Sequence, residues 1–124
     1  MRKMGRMKRV LILGLLILLS GPGDAAEVLP KALRGLWAYE PGDCANPDSD
    51  GRLAIAARTV SFYAAGYDIT RVVRKPDGSL RASGLVSNEG EPGRTRDSIT
   101  LKLIAPDKLR VGTEDAHIYH RCPR

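Results

Sequence analysis

The sequence predicts an all-β protein, a small antiparallel eight-stranded barrel or meander with one disulfide, on three observations. Apolar residues fall in short alternating runs, and turn-forming residues interrupt those runs about every eight positions. No long segment has the apolar period of a helix, and two cysteines, Cys44 and Cys122, lie far apart in the chain. A meander of short strands either closes on itself or leaves its edges open to foreign strands, and closure removes that hazard.

The first element is an address label. Arg2, Lys3, Arg6, Lys8 and Arg9 precede the apolar run Val10 to Leu19, which exits through Ser20-Gly21-Pro22-Gly23-Asp24-Ala25-Ala26. A basic head, an apolar stretch of roughly 7 to 15 residues and a small-residue exit make a secretory signal peptide, and that stretch falls short of the roughly 20 residues a spanning helix needs. The expected organisation is a signal peptide over residues 1–25 and one barrel-like domain over 26–124, periplasmic or secreted. Cleavage after Ala25 puts Gly23 and Ala25 at the two positions that must be small. Met4 and Met7 are alternative starts. No cysteine follows the apolar run, so no lipid anchor and no stable membrane anchor are expected after cleavage; the absence of consecutive arginines favours the general secretory route.

Removing the label changes the charge argument. The 124-residue chain carries a formal +6, but residues 1–25 hold five basic side chains and one acidic one, leaving 15 basic against 13 acidic. With that balance and no basic run longer than Arg74-Lys75, nucleic acid is not an expected partner. A domain of about 100 residues buries only roughly 60 to 65% of its unfolded surface, so a covalent staple helps. In an oxidising compartment an even pair of cysteines is most simply one disulfide, Cys44 with Cys122.

The strands follow in order. Leu33 to Tyr39 holds the only tryptophan, Trp37, and a polar Pro/Gly/Asp-rich loop runs from Glu40 to Gly51. Leu53 and Ile55 alternate with small residues, Thr59 to Tyr63 alternates again, and Ala64-Ala65-Gly66 turns the chain into Tyr67 to Arg74. Lys75-Pro76-Asp77-Gly78 is the clearest hairpin signal, fitting a type I turn followed by a glycine bulge. The return strand is Ser79 to Val86. Its register stays open, because pairing Val73 with Leu80 sets Ile69, Val73, Leu80, Ala82 and Val86 on one face whereas the bulge shifts the pairing by one. After the loop Asn88 to Gly93, Ser98 to Ile104 is the cleanest period-two strand, with Ile99, Leu101 and Leu103 inward. Leu109 to Val111 and Ala116 to Arg121 complete the set. Cys122 ends the last strand and Cys44 lies just past the first, so their bridge ties the two edges that a barrel joins.

Several patterns invite chemistry and fall short of it. Asn46-Pro47-Asp48-Ser49-Asp50-Gly51 starts like a calcium loop, but Ala57 stands where the bidentate Glu belongs. His117 and His120 are three apart, which on a strand sets them on opposite faces, so they do not chelate one ion. Glu89 and Glu91 are spaced to share a face, yet Gly90, Pro92 and Gly93 make a poor platform for paired-carboxylate catalysis. No metal, no cofactor and no catalytic residue is expected, and the chain reads as a non-enzyme. The remaining concentration is basic: Arg71, Arg74, Lys75, Arg81, Arg94 and Arg96 crowd one stretch, and Arg71, Arg74 and Arg81 are the candidate binding residues, for an anion or an acidic surface.

Gly35-Leu36-Trp37 resembles the Gly-x-Trp that opens the first strand of lipocalins and of the small eight-stranded periplasmic inhibitors of bacterial metalloproteases. The resemblance implies an indole plugging one end of the barrel, with a late arginine such as Arg121 stacked on it. For the inhibitors it further implies a free segment Ala26 to Leu33 which, with neighbouring loops, forms the contact surface. A small barrel fills its own interior, so a protein partner ranks above a lipid ligand. The expected function is therefore that of an exported binding protein engaging a protein partner, with inhibition of a hydrolase as one form; the alternative is a structural or stress-related envelope protein without a discrete ligand.

Overall fold

The computed structural model describes residues 25–124. The signal segment therefore lies outside the described residues, apart from the backbone of Ala25. Nine strands form one sheet: β1 (Ala25–Ala26), β2 (Gly35–Ala38), β3 (Arg52–Ile55), β4 (Thr59–Phe62), β5 (Ala65–Arg74), β6 (Leu80–Asn88), β7 (Thr95–Ala105), β8 (Lys108–Val111) and β9 (His117–Arg121). From β2 to β9 each strand pairs antiparallel with the next. β9 returns to β2, setting Trp37 opposite Arg121 and Ala38 opposite His120, and this closes an eight-stranded barrel. The two-residue β1 adds to β5 at Val72 and Val73, beyond the stretch that β4 covers.

Closure rests on a short seam, since β2 and β9 share only those two register pairs. The disulfide reinforces it from the side. Cys44 sits in a 3-10 turn at Pro41–Ala45 and bonds Cys122, with their Cα atoms 5.6 Å apart, while the Cys122 N–H donates to the Leu36 carbonyl at 2.9 Å.

The interior is packed side chain. Trp37, Leu53, Val60, Leu101 and Leu109 are fully buried, and Ile55, Ile69, Val72, Leu80, Ala82 and Val111 pack around them. An eight-stranded barrel is just wide enough to be filled in this way. Ile99 and Leu103 flank Leu101 on the same face, as the period-two pattern predicts.

The β5–β6 hairpin resolves the open register. Arg74 pairs with Leu80, Val73 with Arg81 and Val72 with Ala82, so Val72 points into the core and Val73 does not. The Gly78 N–H donates to the Lys75 carbonyl at 2.9 Å and Gly78 has φ +90°, the glycine bulge that shifts the pairing by one. A second bulge at Thr70 lets Ile69 and Val72, three apart, both face inward. It works because residue 84 is glycine: a Cβ there would overlap the Asp68 carbonyl oxygen and come within 2.9 Å of the Ile69 Cα.

The segment before β2 differs from the expectation. Lys31–Leu33 is a 3-10 turn and the strand begins only at Gly35, whose φ of +131° turns the chain into the barrel. Nor is Ala26 to Leu33 free. Leu29 and Leu33 are buried in the core, the Leu29 N–H donates to the Ala57 carbonyl at 2.7 Å, and the Arg34 guanidinium donates twice to the Leu29 carbonyl. Leu29 stands outside every alternating run and Leu33 reads as the start of the strand; both become this cap only once the barrel supplies an end to close.

Candidate functional site

One end of the barrel is closed by a stack of specific contacts. The Trp37 indole Nε1–H donates to the Leu33 carbonyl at 2.9 Å, and the Arg121 guanidinium lies over the ring, 4.2 Å from its centroid. That guanidinium also donates to the carbonyls of Ala32, Arg34 and Pro106 at 2.5, 3.0 and 3.1 Å. Gly35 makes room for it, because a Cβ at that position would stand 3.2 Å from Arg121 Nη1. This arrangement is structural: its donors and acceptors satisfy one another.

The other end carries an aromatic mouth. Tyr39 stands edge to face with His117, centroids 5.5 Å apart, and with Tyr119 at 6.0 Å, beside a cleft of about 270 Å³ that Asp50 and Gly51 also line. Burial pushes the Tyr119 phenol above its ordinary pKa, helped by Tyr39, Asp43 and Asp50; burial and then Asp97 do the same for Tyr67. Both phenols therefore stay protonated at neutral pH and serve as neutral hydroxyls. The two histidines part as strand geometry requires, His117 lying opposite inward Val111 and His120 opposite Lys108 on the outer face. In the loop Asn46 to Gly51, Asn46 Oδ1 accepts the Asp48 N–H and Ser49 bonds Asp43, so these oxygens serve the loop itself. Glu89 and Glu91 sit exposed in the β6–β7 turn.

The basic residues divide by register. Leu80, Ala82, Leu101 and Val111 face inward, so their strand neighbours Arg81, Lys102 and Arg110 face out. Arg71 pairs with Ser83 and Arg96 with Leu85, which puts both on that same outer face. Lys75 joins them, lining a common surface cleft with Arg81 and Thr100. Of the three candidate residues, Arg71 and Arg81 are thus brought onto one surface. Arg74 is not, because its partner is inward Leu80 and its exposed side chain leaves from the inner face at the rim. Arg94 is engaged in an ion pair with Asp68 at 2.9 Å.

Two members of the face, Lys102 and Arg110, were missed by reading clusters along the chain. They lie on either side of the β7–β8 turn and meet only by pairing directly across it. The signal was available: both occupy the polar phase of an alternating strand. Among the described residues the two ion pairs are Arg58 with Glu27 and Arg94 with Asp68, so neither Lys102 nor Arg110 has a carboxylate partner. Arg81 instead donates from Nε to Ser98 Oγ at 3.2 Å. Shallow clefts punctuate the face, lined by serines and threonines as well as the cations, with Asp77 in one and Asp97 in another.

No helix among the described residues is long and apolar enough to cross a membrane. Comparison with family models, curated proteins and solved structures finds no match to this chain.

Proposed function

We propose that this chain is an exported, non-catalytic binding protein, a lipocalin-like barrel that engages the acidic surface of a protein partner through the outer face of β5 to β8. A secreted or envelope hydrolase, held as an inhibitor holds its target, is one such partner. The observation that carries the reading is the set Arg71, Arg81, Arg96, Lys102 and Arg110, none of which makes an ion pair among the described residues, on one outer face of a barrel whose interior is already full. A filled lumen leaves recognition to the surface, and concentrated charge there steers encounter with an opposite field. The Gly35-x-Trp37 pair with Arg121 on the indole supports the lipocalin-like part of the reading, and the disulfide supports export, since such bridges persist in oxidising compartments.

Charge reversal tests it. Arg71→Glu with Arg81→Glu should abolish capture of the partner at physiological salt while moving the thermal midpoint little, because exposed substitutions usually change stability by under about 0.5 kcal/mol. Arg74→Glu, on the other face of the same hairpin, should leave capture nearly intact. Equal loss from all three would mean that only net charge matters, and no saturable partner at all would favour the structural envelope role.

A further inference from the structure

Within the basic face one cleft differs from the rest. It has a volume of about 170 Å³ and is lined by Lys75 and Ser79 from the β5–β6 hairpin, Thr100 and Lys102 from β7, Arg110 from β8, and Thr113 beyond it. That is several times the roughly 30 Å³ share of one water in the liquid, enough for a small oxyanion with part of its hydration. Lys102 and Arg110 are direct cross-strand partners on an exposed face, an arrangement of like charges that destabilises a sheet. Neither makes an ion pair among the described residues.

The one carboxylate in the cleft, Asp77, is hydrogen-bonded to Ser79 and offsets part of the charge of Lys102 and Lys75. Its Oδ1 accepts the Ser79 backbone N–H at 2.9 Å and the Ser79 hydroxyl at 2.6 Å. Three cations against one anion leave an excess of two positive charges, with hydroxyl donors at Thr100 and Thr113 beside them. A bound dianion would neutralise that excess and relieve the Lys102–Arg110 repulsion at once.

We propose that this cleft binds a tetrahedral dianion of the phosphate-monoester type, held by Lys75, Lys102 and Arg110 with the two threonine hydroxyls. The inference rests on the reading of this face as a binding surface, and it names the chemistry of one point on it. The phosphate is either free in solution or borne by a lipid headgroup.

The probe is inorganic phosphate, added at constant ionic strength against chloride, with the thermal midpoint and the amide shifts of Thr100, Gly112 and Thr113 as readouts. The midpoint should rise and saturate, and the shifts should follow the same curve. Arg110→Thr should raise the phosphate-free midpoint by removing the like-charge pair, Lys102→Thr should raise it less because it also loses the attraction to Asp77, and each should weaken phosphate binding roughly tenfold or more, as loss of one charge-assisted contact does. A phosphate response no larger than that of chloride, or an undiminished response in both variants, overturns the proposal. Vesicles of phosphatidylcholine with and without phosphatidic acid separate the sources: sedimentation with the acidic vesicles that is lost in Lys102→Thr assigns a headgroup, and its absence beside a saturable phosphate response assigns a free ligand. Arg71→Gln, at a residue that lines neither this cleft nor the one beside it, should weaken partner capture and spare phosphate binding, so loss of partner capture and loss of the oxyanion site are read independently.

Discussion

The Arg121 guanidinium lies 4.2 Å above the Trp37 indole while Trp37 and Arg121 are also register partners across the seam between β2 and β9. One pair thus does two things. It closes the sheet and it caps the barrel, and the three carbonyls to which the Arg121 guanidinium donates tie the 3-10 turn at Lys31–Leu33 and the β7–β8 turn to the same point.

Trp37→Ala should cost about 3 to 5 kcal/mol, since a fully buried ring is removed and the Leu33 carbonyl loses its donor. Arg121→Lys keeps the charge but not the planar fork that reaches three carbonyls, and should cost about 1 to 3 kcal/mol. Urea midpoints measure both. A lysine variant as stable as the parent would show that charge alone, and not the fork, holds this end.

The disulfide should matter through the unfolded chain. Cys44 and Cys122 are separated by 78 residues, and closing a loop of that size lowers unfolded-state entropy by an amount worth about 4 to 5 kcal/mol in the chain-entropy model. Replacing both with Ser should lower stability by a few kcal/mol, and non-reducing peptide mapping of the parent should recover the two cysteine peptides as one species. Two free thiols in the purified protein would contradict the bridge.

Much of this barrel is legible along the chain because its signals are local. The alternation of Ile99, Leu101 and Leu103, the turn at Pro76-Asp77-Gly78 and the Gly35-x-Trp37 pair each need only a few neighbouring residues to be read. The inward placing of Ile69 together with Val72 does not, since it depends on the bulge at Thr70, which depends on Gly84 in the neighbouring strand. The docking of Leu29 depends likewise on a barrel end built from distant strands. The basic face shows the same division: Arg71 and Arg81 stand out as a cluster, but dropping Arg74 and adding Lys102 with Arg110 requires the register of three strand pairs.

Gly84→Ala tests the close approach of β6 to β5 at the Thr70 bulge. The added methyl meets backbone, the Asp68 carbonyl and the Ile69 Cα, and backbone cannot swing aside as a flexible side chain can. The variant should lose about 1 to 3 kcal/mol, the usual cost of overpacking. Gly42→Ala, where a Cβ would meet nothing within 4 Å, is the matched control and should be close to neutral. Equal effects would mean that the close approach adds no cost of its own.

Asp77 gives the fold an acid-sensitive point. The Ser79 hydroxyl and backbone N–H, both donating to its carboxylate, hold its pKa below the ordinary range, with Lys102 and Lys75 adding to the effect. A group whose folded pKa is depressed adds stability that is present above its unfolded pKa, about 3.9, and is lost as the pH falls through the lower folded value. Stability should therefore decline across that acid window more steeply in the parent than in Asp77→Asn. Ser79→Ala should flatten the same limb, because it removes the hydroxyl donor while leaving the carboxylate in place. Added salt should reduce only the part owed to Lys102 and Lys75, since screening acts on exposed charge and leaves the two Ser79 hydrogen bonds in place. Urea midpoints at a series of acid pH values, at low and high salt, read each contribution. If the slope vanished entirely in high salt, the lysines and not Ser79 would be what holds the carboxylate ionised.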